Sequence, residues 1–147
     1  MSTNQTFILA LYIYNGTAYI PTNGKEPGGP FLEIDPVVSI PLTEEAKLRD
    51  ALLSNMQSGH PRLSHPFPKY KIPVVVQAMW LKSWSSMVKL SYGYHLRITD
   101  GKHCLYFCTK GKAKGVDPER IELPSERTDN LSVINFVIEH IHSLNLG

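Results

Sequence analysis

The sequence has no strong excess of charge of either sign. Its 147 residues include 15 Lys and Arg against 13 Asp and Glu, which gives a formal net charge of +2. A domain that binds nucleic acid mainly through charge is expected to have a pI above about 9 and a clustered basic stripe. The near balance argues against a protein whose main partner is nucleic acid.

A long hydrophobic run is also missing, and there are only 2 cysteines. The apolar stretch FILALYIY has about eight residues, whereas a membrane-spanning helix needs about 20, and no charged leader region precedes it. Cys104 and Cys108 are four residues apart on one predicted strand, so their Cα atoms lie about 13 Å apart, beyond the roughly 7 Å limit for a disulfide. We expect a cytoplasmic protein with two free thiols.

The short motifs of common active sites are absent as well. There is no Walker loop, no Gly-x-Gly-x-x-Gly and no Gly-x-Ser-x-Gly elbow. The run Lys110-Gly111-Lys112 continues to Lys114, but no carboxylate pair for Mg²⁺ accompanies it, which favours a solvated surface loop over a phosphate site.

The 6 histidines do not form a recognisable metal-binding set. His140 and His142 are two residues apart on a predicted helix, about 200° around its axis, so they cannot bind one ion together. Glu139 and His142 form a single Glu-x-x-His, whereas a di-iron bundle needs two. We therefore expect no metal, no cofactor and no enzymatic activity, and histidines that are solvated or hydrogen-bonded.

The strongest structural signal that is present lies between Tyr92 and Cys108. Asp100-Gly101 separates two alternating runs, which predicts a β-hairpin with a two-residue type I′ turn. The register then places Leu96 opposite Leu105 and Tyr94 opposite Phe107. One face of the hairpin is predicted to be core, and the other carries His95, Arg97, Cys104, Tyr106 and Cys108.

Further strands are predicted before the hairpin and one after it. Residues 6–14 are apolar on both alternating faces, which indicates a strand covered on both sides, and Asn15-Gly16 predicts a turn into a return strand over 17–20. The composition of residues 21–30 predicts a loop. The remaining candidates are an interrupted edge strand in two pieces, 31–34 and 37–40, and a last short strand over 120–123.

Three helices complete the pattern. The first opens with Thr43 as its cap, carries the apolar stripe Leu48, Ala51, Leu52 and Met56, and ends at Gly59. The second is predicted from about Pro73 to Lys89, with Val76, Met79, Trp80, Ser83 and Met87 on its buried side. Its start is open, because residues 72–76 are β-branched enough to form a strand instead. The third begins at Asp129 and buries a stripe formed by Leu131, Ile134, Ile138 and Ile141.

This order of elements is neither strict βαβ alternation nor all-β. It predicts one α+β domain over residues 1–147, with a central, mainly antiparallel sheet and about three helices.

The layout resembles that of the small immunity proteins of bacterial contact-dependent growth inhibition systems. The features that carry the resemblance are the start MSTNQ running directly into FILALYIYNG, the Asp-Gly hairpin and the closing helix from Asp129. Such proteins bind and neutralise a cognate toxin domain, often a nuclease. The resemblance therefore implies a protein toxin as the partner and inhibition by occlusion of its active site.

Carboxylates are the natural complement of a nuclease cleft, because that cleft attracts phosphate. The carboxylates expected on loops or exposed faces are Glu33, Asp35, Asp117, Glu119, Glu122 and Glu126. Tyr106 is the expected aromatic anchor, since its face of the hairpin carries His95 and Arg97, and one tryptophan remains as a second candidate.

Two other classes of function stay open on the sequence. One is a small nucleic-acid-binding or RNA-processing factor that uses basic loops containing Lys69, Lys71, Lys110, Lys112 and Lys114. The other is an enzyme whose site assembles from residues distant in the sequence.

Overall fold

A computed structural model describes residues 6–26, 31–63, 72–108, 119–123 and 129–144 of the chain. Within these ranges the strands are β1 (Thr6–Tyr14), β2 (Thr17–Lys25), β3 (Phe31–Pro41), β4 (Tyr92–Thr99), β5 (Lys102–Cys108) and β6 (Glu119–Glu122). The helices are α1 (Glu45–Ser58), α2 (Val74–Ala78), α3 (Trp84–Leu90) and α4 (Asn130–Ser143). None of these helices has the length and apolar character needed to cross a bilayer.

The strands form one six-stranded antiparallel sheet in the order β3-β2-β1-β4-β5-β6. β1 and β4 are therefore the central strands, and β3 and β6 are the two edges. This arrangement confirms the predicted α+β class, with helices packed on a mainly antiparallel sheet.

The β4–β5 hairpin has the register that the sequence predicts. Leu96 lies opposite Leu105, and Tyr94 lies opposite Phe107. Asp100 has φ 52° and Gly101 has φ 77°, the two positive values that a type I′ turn requires. The turn prediction is confirmed.

One face of the sheet is covered by α1 and α4. Leu9 and Leu11 of β1 and Leu105 of β5 are buried against these helices. α4 buries Val133, Ile134, Val137, Ile138 and Ile141. The prediction that Leu131 belongs to this stripe is wrong, because the stripe that meets the sheet runs through Val133 and Val137, which leaves Leu131 48% exposed.

The other face is covered only in part, by α2 and α3. A smaller apolar cluster joins Ala10 and Tyr12 of β1 to Val74, Val75, Val76, Met79 and Met87. Because β1 thus lies between two layers, it is buried on both faces along most of its length, as its uninterrupted apolar run predicts.

The single helix predicted over 73–89 is wrong, since α2 ends at Ala78 and α3 begins at Trp84. Trp80 adopts φ 59°; its N–H donates to the Gln77 carbonyl and the Leu81 N–H donates to the Val76 carbonyl. These two bonds form a Schellman motif, the usual C-terminal stop of a helix. Ser83 then caps α3 by accepting from the Ser86 N–H, so neither Trp80 nor Ser83 lies on a buried helix face.

Three smaller predictions also need correction. The loop expected from Pro21 is wrong as far as Lys25, because β2 continues to pair with β3 there, with a register shift between Pro21 and Thr22; residues 27–30 lie outside the described ranges. β3 is one edge strand rather than two pieces, although its pairing with β2 omits Asp35 and Pro36, where the predicted interruption lies. Thr43 does not cap α1: the Glu44 N–H donates to the Pro41 carbonyl and closes a turn, which moves the N-cap to Glu44.

Leu105→Ala should lower the free energy of unfolding by about 2–5 kcal/mol, because Leu105 is 0% exposed and its truncation leaves a cavity. Leu131→Ala is the matched control, since this leucine is exposed, and its effect should stay within about 0.5 kcal/mol. Urea unfolding measures both. Equal losses in the two variants would contradict the assignment of the core.

Candidate functional site

The sheet opens between β1 and β2. These strands pair only near their turn, at Tyr12–Tyr19, Ile13–Ala18 and Tyr14–Thr17. Beyond these pairs β1 continues beside β4 as far as Thr6, while β2 continues beside β3 as far as Lys25. The backbone of β1 near Ile8 is therefore not paired with β2.

His60, from the segment after α1, fills this opening. Its Nε2 accepts a hydrogen bond from the Ile8 N–H at 3.2 Å, and its Nδ1 donates to the Asn23 carbonyl at 2.8 Å. The ring packs against Phe7 and Phe31, with ring centroids 4.7 Å and 4.5 Å away. An imidazole that accepts at one nitrogen and donates at the other is neutral. Its two hydrogen bonds take the place of the missing strand pairing.

Burial favours the same neutral form. It lowers the pKa of His60, as does the positive charge of Lys25, while the bond to the Asn23 carbonyl acts in the opposite direction. The buried Asn23 side chain closes the remaining gap, since its Nδ2 donates to the Ile8 carbonyl at 3.5 Å.

The segment that carries His60 is itself tied to the end of β2. The Lys25 N–H donates to the Pro61 carbonyl at 2.8 Å, and the Leu63 N–H donates to the Lys25 carbonyl at 3.0 Å. Leu63 then lies over Gly24, where an added Cβ would be 2.7 Å from a Leu63 methyl carbon. A side chain at Gly24 would therefore require the Leu63 side chain to shift.

Beside this opening, on the partly covered face, lies a cleft of about 650 Å³, which we call the sheet cleft. Its lining combines residues from five strands and from the start of α3: Ile8, Tyr12, Asn23, Phe31, Glu33, Trp84, His95, Arg97 and Tyr106.

Three polar side chains meet in the sheet cleft. The Tyr12 hydroxyl donates to Glu33 Oε2 at 2.6 Å and lies 3.3 Å from His95 Nε2. Glu33 Oε2 and His95 Nε2 are 4.0 Å apart. The cleft therefore contains a carboxylate that is oriented by a phenol and has an imidazole at its side.

The environment shifts the pKa values of all three groups. Burial raises the pKa of Glu33, although the hydrogen bond from Tyr12 acts in the opposite direction. Burial and then the charge of Glu33 raise the pKa of Tyr12 well above its ordinary value. Burial and the neighbouring Arg97 lower the pKa of His95, which favours the neutral imidazole. A neutral imidazole gives the Glu33 carboxylate little electrostatic stabilisation.

Glu33 and His95 do not have the geometry of a glycosidase carboxyl pair. Paired carboxyl groups that act on opposite sides of a scissile bond are about 5–9.5 Å apart in glycosidases, whereas Glu33 and His95 are 4.0 Å apart and leave no such room. The described residues include no group of three or more His, Cys, Asp or Glu side chains that could hold a metal ion.

The residues predicted as partner-binding are divided among three places. Glu33 and Tyr106 both line the sheet cleft. Asp35 is exposed on β3, and Glu119 and Glu122 are exposed on β6, with Glu122 Oε1 3.6 Å from an Arg120 nitrogen. Asp117 and Glu126 lie outside the described residues, as do the lysines of the nucleic-acid hypothesis.

β3 and β6 are opposite edges of the sheet, five strand spacings or about 24 Å apart. The carboxylates on these two strands therefore cannot form one continuous patch. Sequence reasoning placed Tyr106 on the same face as His95 and Arg97 but missed Tyr12, His60 and Phe31. The alternation along β1 assigns Tyr12 to one face of that strand. Placing this face beside His95 also requires the knowledge that β1 pairs with β4.

A second exposed feature borders the sheet cleft. The connection from Met79 to Trp84, which we call the tryptophan turn, leaves Trp80 92% exposed and Trp84 42% exposed. Trp84 also lines the cleft, and its ring meets the edge of Tyr12 with centroids 6.4 Å apart. Trp84 therefore belongs both to the tryptophan turn and to the wall of the sheet cleft.

Comparisons with known proteins inform the fold alone. No protein-family model and no curated protein matches the chain. Among solved structures, the chain is similar to a protein of unknown function, NMB0488 from Neisseria meningitidis, with a TM-score of 0.53 and 11% sequence identity; the match covers 95% of this chain and 94% of that one. The two proteins share an overall fold.

His60→Gln should reduce the dependence of the free energy of unfolding on pH below 6.5, the ordinary pKa of this group. Because folding lowers the pKa of His60, the unfolded chain takes up a proton at a higher pH than the folded protein does. The stability contributed by His60 is complete above pH 6.5 and is lost as the pH falls through the lowered pKa. Urea unfolding over a pH series measures this, and identical pH slopes for the two proteins would contradict a neutral His60.

Tyr12→Phe should raise the pKa of Glu33 further, because it removes the one hydrogen bond that favours the carboxylate. Carbon-13 NMR titration of the glutamate carboxyl groups measures the change. Tyr19→Phe is the control. Tyr19 lies opposite Tyr12 on β2, so this substitution removes a hydroxyl group from the same face of the sheet. A pKa of Glu33 that does not move in Tyr12→Phe would exclude the assigned hydrogen bond.

Proposed function

We propose that this chain is a protein-binding domain of the immunity type, which neutralises a cognate toxin by covering its active site. The observation that carries the proposal is the tryptophan turn. Trp80 is 92% exposed and occupies a position that the local backbone makes unfavourable for it.

That position is the left-handed residue of the Schellman motif at the end of α2. Glycine is the usual residue there, and a residue with a side chain is less stable in this conformation by about 1–2 kcal/mol. Exposure of a large indole to water brings no compensating stability. Folding alone therefore gives no reason for tryptophan at this position, whereas partner binding does.

The neighbouring side chains suit such a role. Tryptophan and tyrosine are enriched among the residues that dominate binding energy in protein interfaces. Trp84 and Tyr106 both line the sheet cleft, and Trp80 precedes Trp84 by four residues on the tryptophan turn. Glu33 lines the sheet cleft, and Asp35 is exposed on the same strand, β3. These two carboxylates supply the charge that a basic nuclease cleft would meet.

The proposal of an immunity function rests on this surface together with the resemblance in layout to immunity proteins of contact-dependent growth inhibition systems. It predicts that the gene immediately upstream encodes a large exported protein with a toxic C-terminal domain. Production of that domain in a bacterial host should stop growth, and co-production of this chain should restore it. Continued growth arrest, with both proteins present and folded, would exclude the immunity function.

Trp80→Gly should weaken binding to the toxin domain by about 2 kcal/mol or more. Because glycine is the favoured residue at this position, the free energy of unfolding should stay unchanged or rise by up to about 1 kcal/mol. Calorimetric titration and urea unfolding measure the two quantities separately.

Leu131→Ala on α4 is the matched control, since Leu131 is also an exposed apolar residue but lies on the helix that packs against the other face. It should leave toxin affinity unchanged. Equal toxin affinity of the wild type and Trp80→Gly would place the binding surface elsewhere. Charge reversal of Glu33 and Asp35 to lysine, compared with charge reversal of Glu119 and Glu122, would then show which edge of the sheet the toxin contacts.

A further inference from the structure

The sheet cleft combines three features that the proposed function does not use together: a partly buried carboxylate, accessible aromatic rings and an exposed arginine. We propose that the cleft binds a guanine nucleotide, with the base held by Glu33 and the phosphate held by Arg97. This inference stands on the cleft itself and does not depend on the identity of a protein partner.

Glu33 provides the acceptors that select the base. The Tyr12 hydroxyl occupies one lone-pair site of Oε2, and an ionised carboxylate has about four such sites over its two oxygens. Guanine presents two parallel donors, N1–H and N2–H, on its Watson–Crick edge. Adenine has an acceptor at N1, and cytosine and uracil offer a single donor each, so guanine alone among the four bases can pair with both carboxylate oxygens.

The walls of the cleft suit a flat ring. Tyr106 is half-buried and Trp84 is 42% exposed, so both leave aromatic surface open to the cleft; Phe31 also lines the cleft, with its ring in contact with His60 and Lys25. Proteins that read unpaired bases stack them on such side chains and bind their Watson–Crick edges. A volume of about 650 Å³ lies within the range of small-molecule sites.

Arg97 decides between a nucleotide and the other ligand that a carboxylate attracts. A guanidinium group from a protein would offer Glu33 the same pair of donors. However, Arg97 lines the cleft, is exposed, and makes no ion pair within the described part of the chain. Lys25 adds positive charge over the Phe31 ring, 5.1 Å from its centroid. Both cations repel a guanidinium and attract a phosphate.

The test is a titration of the whole chain above neutral pH with GMP, AMP, CMP, guanosine and arginine amide. Calorimetry gives the affinities, and quenching in a Trp80→Phe background reports on Trp84, the other of the 2 tryptophans in the chain. GMP should bind at least about tenfold more tightly than AMP or CMP, because those bases leave one Glu33 oxygen unpaired in the complex. Arginine amide should bind more weakly than GMP.

Two variants test the assigned contacts. Glu33→Gln should lower GMP affinity at least about tenfold and remove the preference over AMP; it keeps an acceptor for Tyr12, and circular dichroism checks its fold. Arg97→Ala should reduce GMP affinity to that of guanosine while guanosine binding stays unchanged. Asp50→Asn and Lys47→Ala are the controls, since both side chains are exposed on α1 at the opposite face.

A short single-stranded RNA containing one guanosine distinguishes the source of the ligand. Tighter binding of this RNA than of GMP identifies a guanine within RNA, and weaker binding identifies the free nucleotide; both outcomes support the guanine site. Equal binding of GMP and AMP, absence of binding, preferred binding of arginine amide, or full GMP affinity in Glu33→Gln would each overturn the proposal. None of these results bears on toxin inhibition, which the growth assay tests separately.

Discussion

The backbone of a buried strand must find hydrogen-bond partners along its whole length, and β1 meets this requirement in an unusual way. Between Thr6 and Leu11, β1 does not pair with β2. The N–H and the carbonyl of Ile8 nevertheless have hydrogen-bond partners, which are the side chains of His60 and Asn23. Two side chains therefore stand where a strand ladder would be expected. His60 and Asn23 thereby complete the hydrogen bonding of Ile8 at the opening beside the sheet cleft.

The two faces of the sheet have different roles because they are covered to different extents. α1 and α4 bury one face with leucine, isoleucine and valine side chains. α2 and α3 are shorter and cover only the part of the other face near Ala10 and Tyr12. The polar cluster of Tyr12, Glu33 and His95 lies on this second face, where the strands bring together side chains that are far apart in the sequence.

Much of the fold follows from local sequence, and the exceptions have identifiable causes. The Asp-Gly turn and the alternation of β4 and β5 determine the hairpin, because both signals are contained within adjacent residues. The break at Trp80 escaped prediction, since a left-handed residue is expected to be glycine and the apolar spacing on both sides fits one helix. The composition of Pro21–Lys25 indicates a loop, but pairing with β3 stabilises a strand there.

For the candidate site, the sequence by itself determined that Tyr106 shares a strand face with His95 and Arg97, because side chains alternate along a hairpin whose turn is known. Only the tertiary structure decided that Tyr12 and Glu33 join them and that His60 holds the sheet open. These three residues come from β1, β3 and the segment after α1. Their meeting depends on strand order and on an interrupted ladder, which are long-range properties that the sequence pattern of any one segment does not carry.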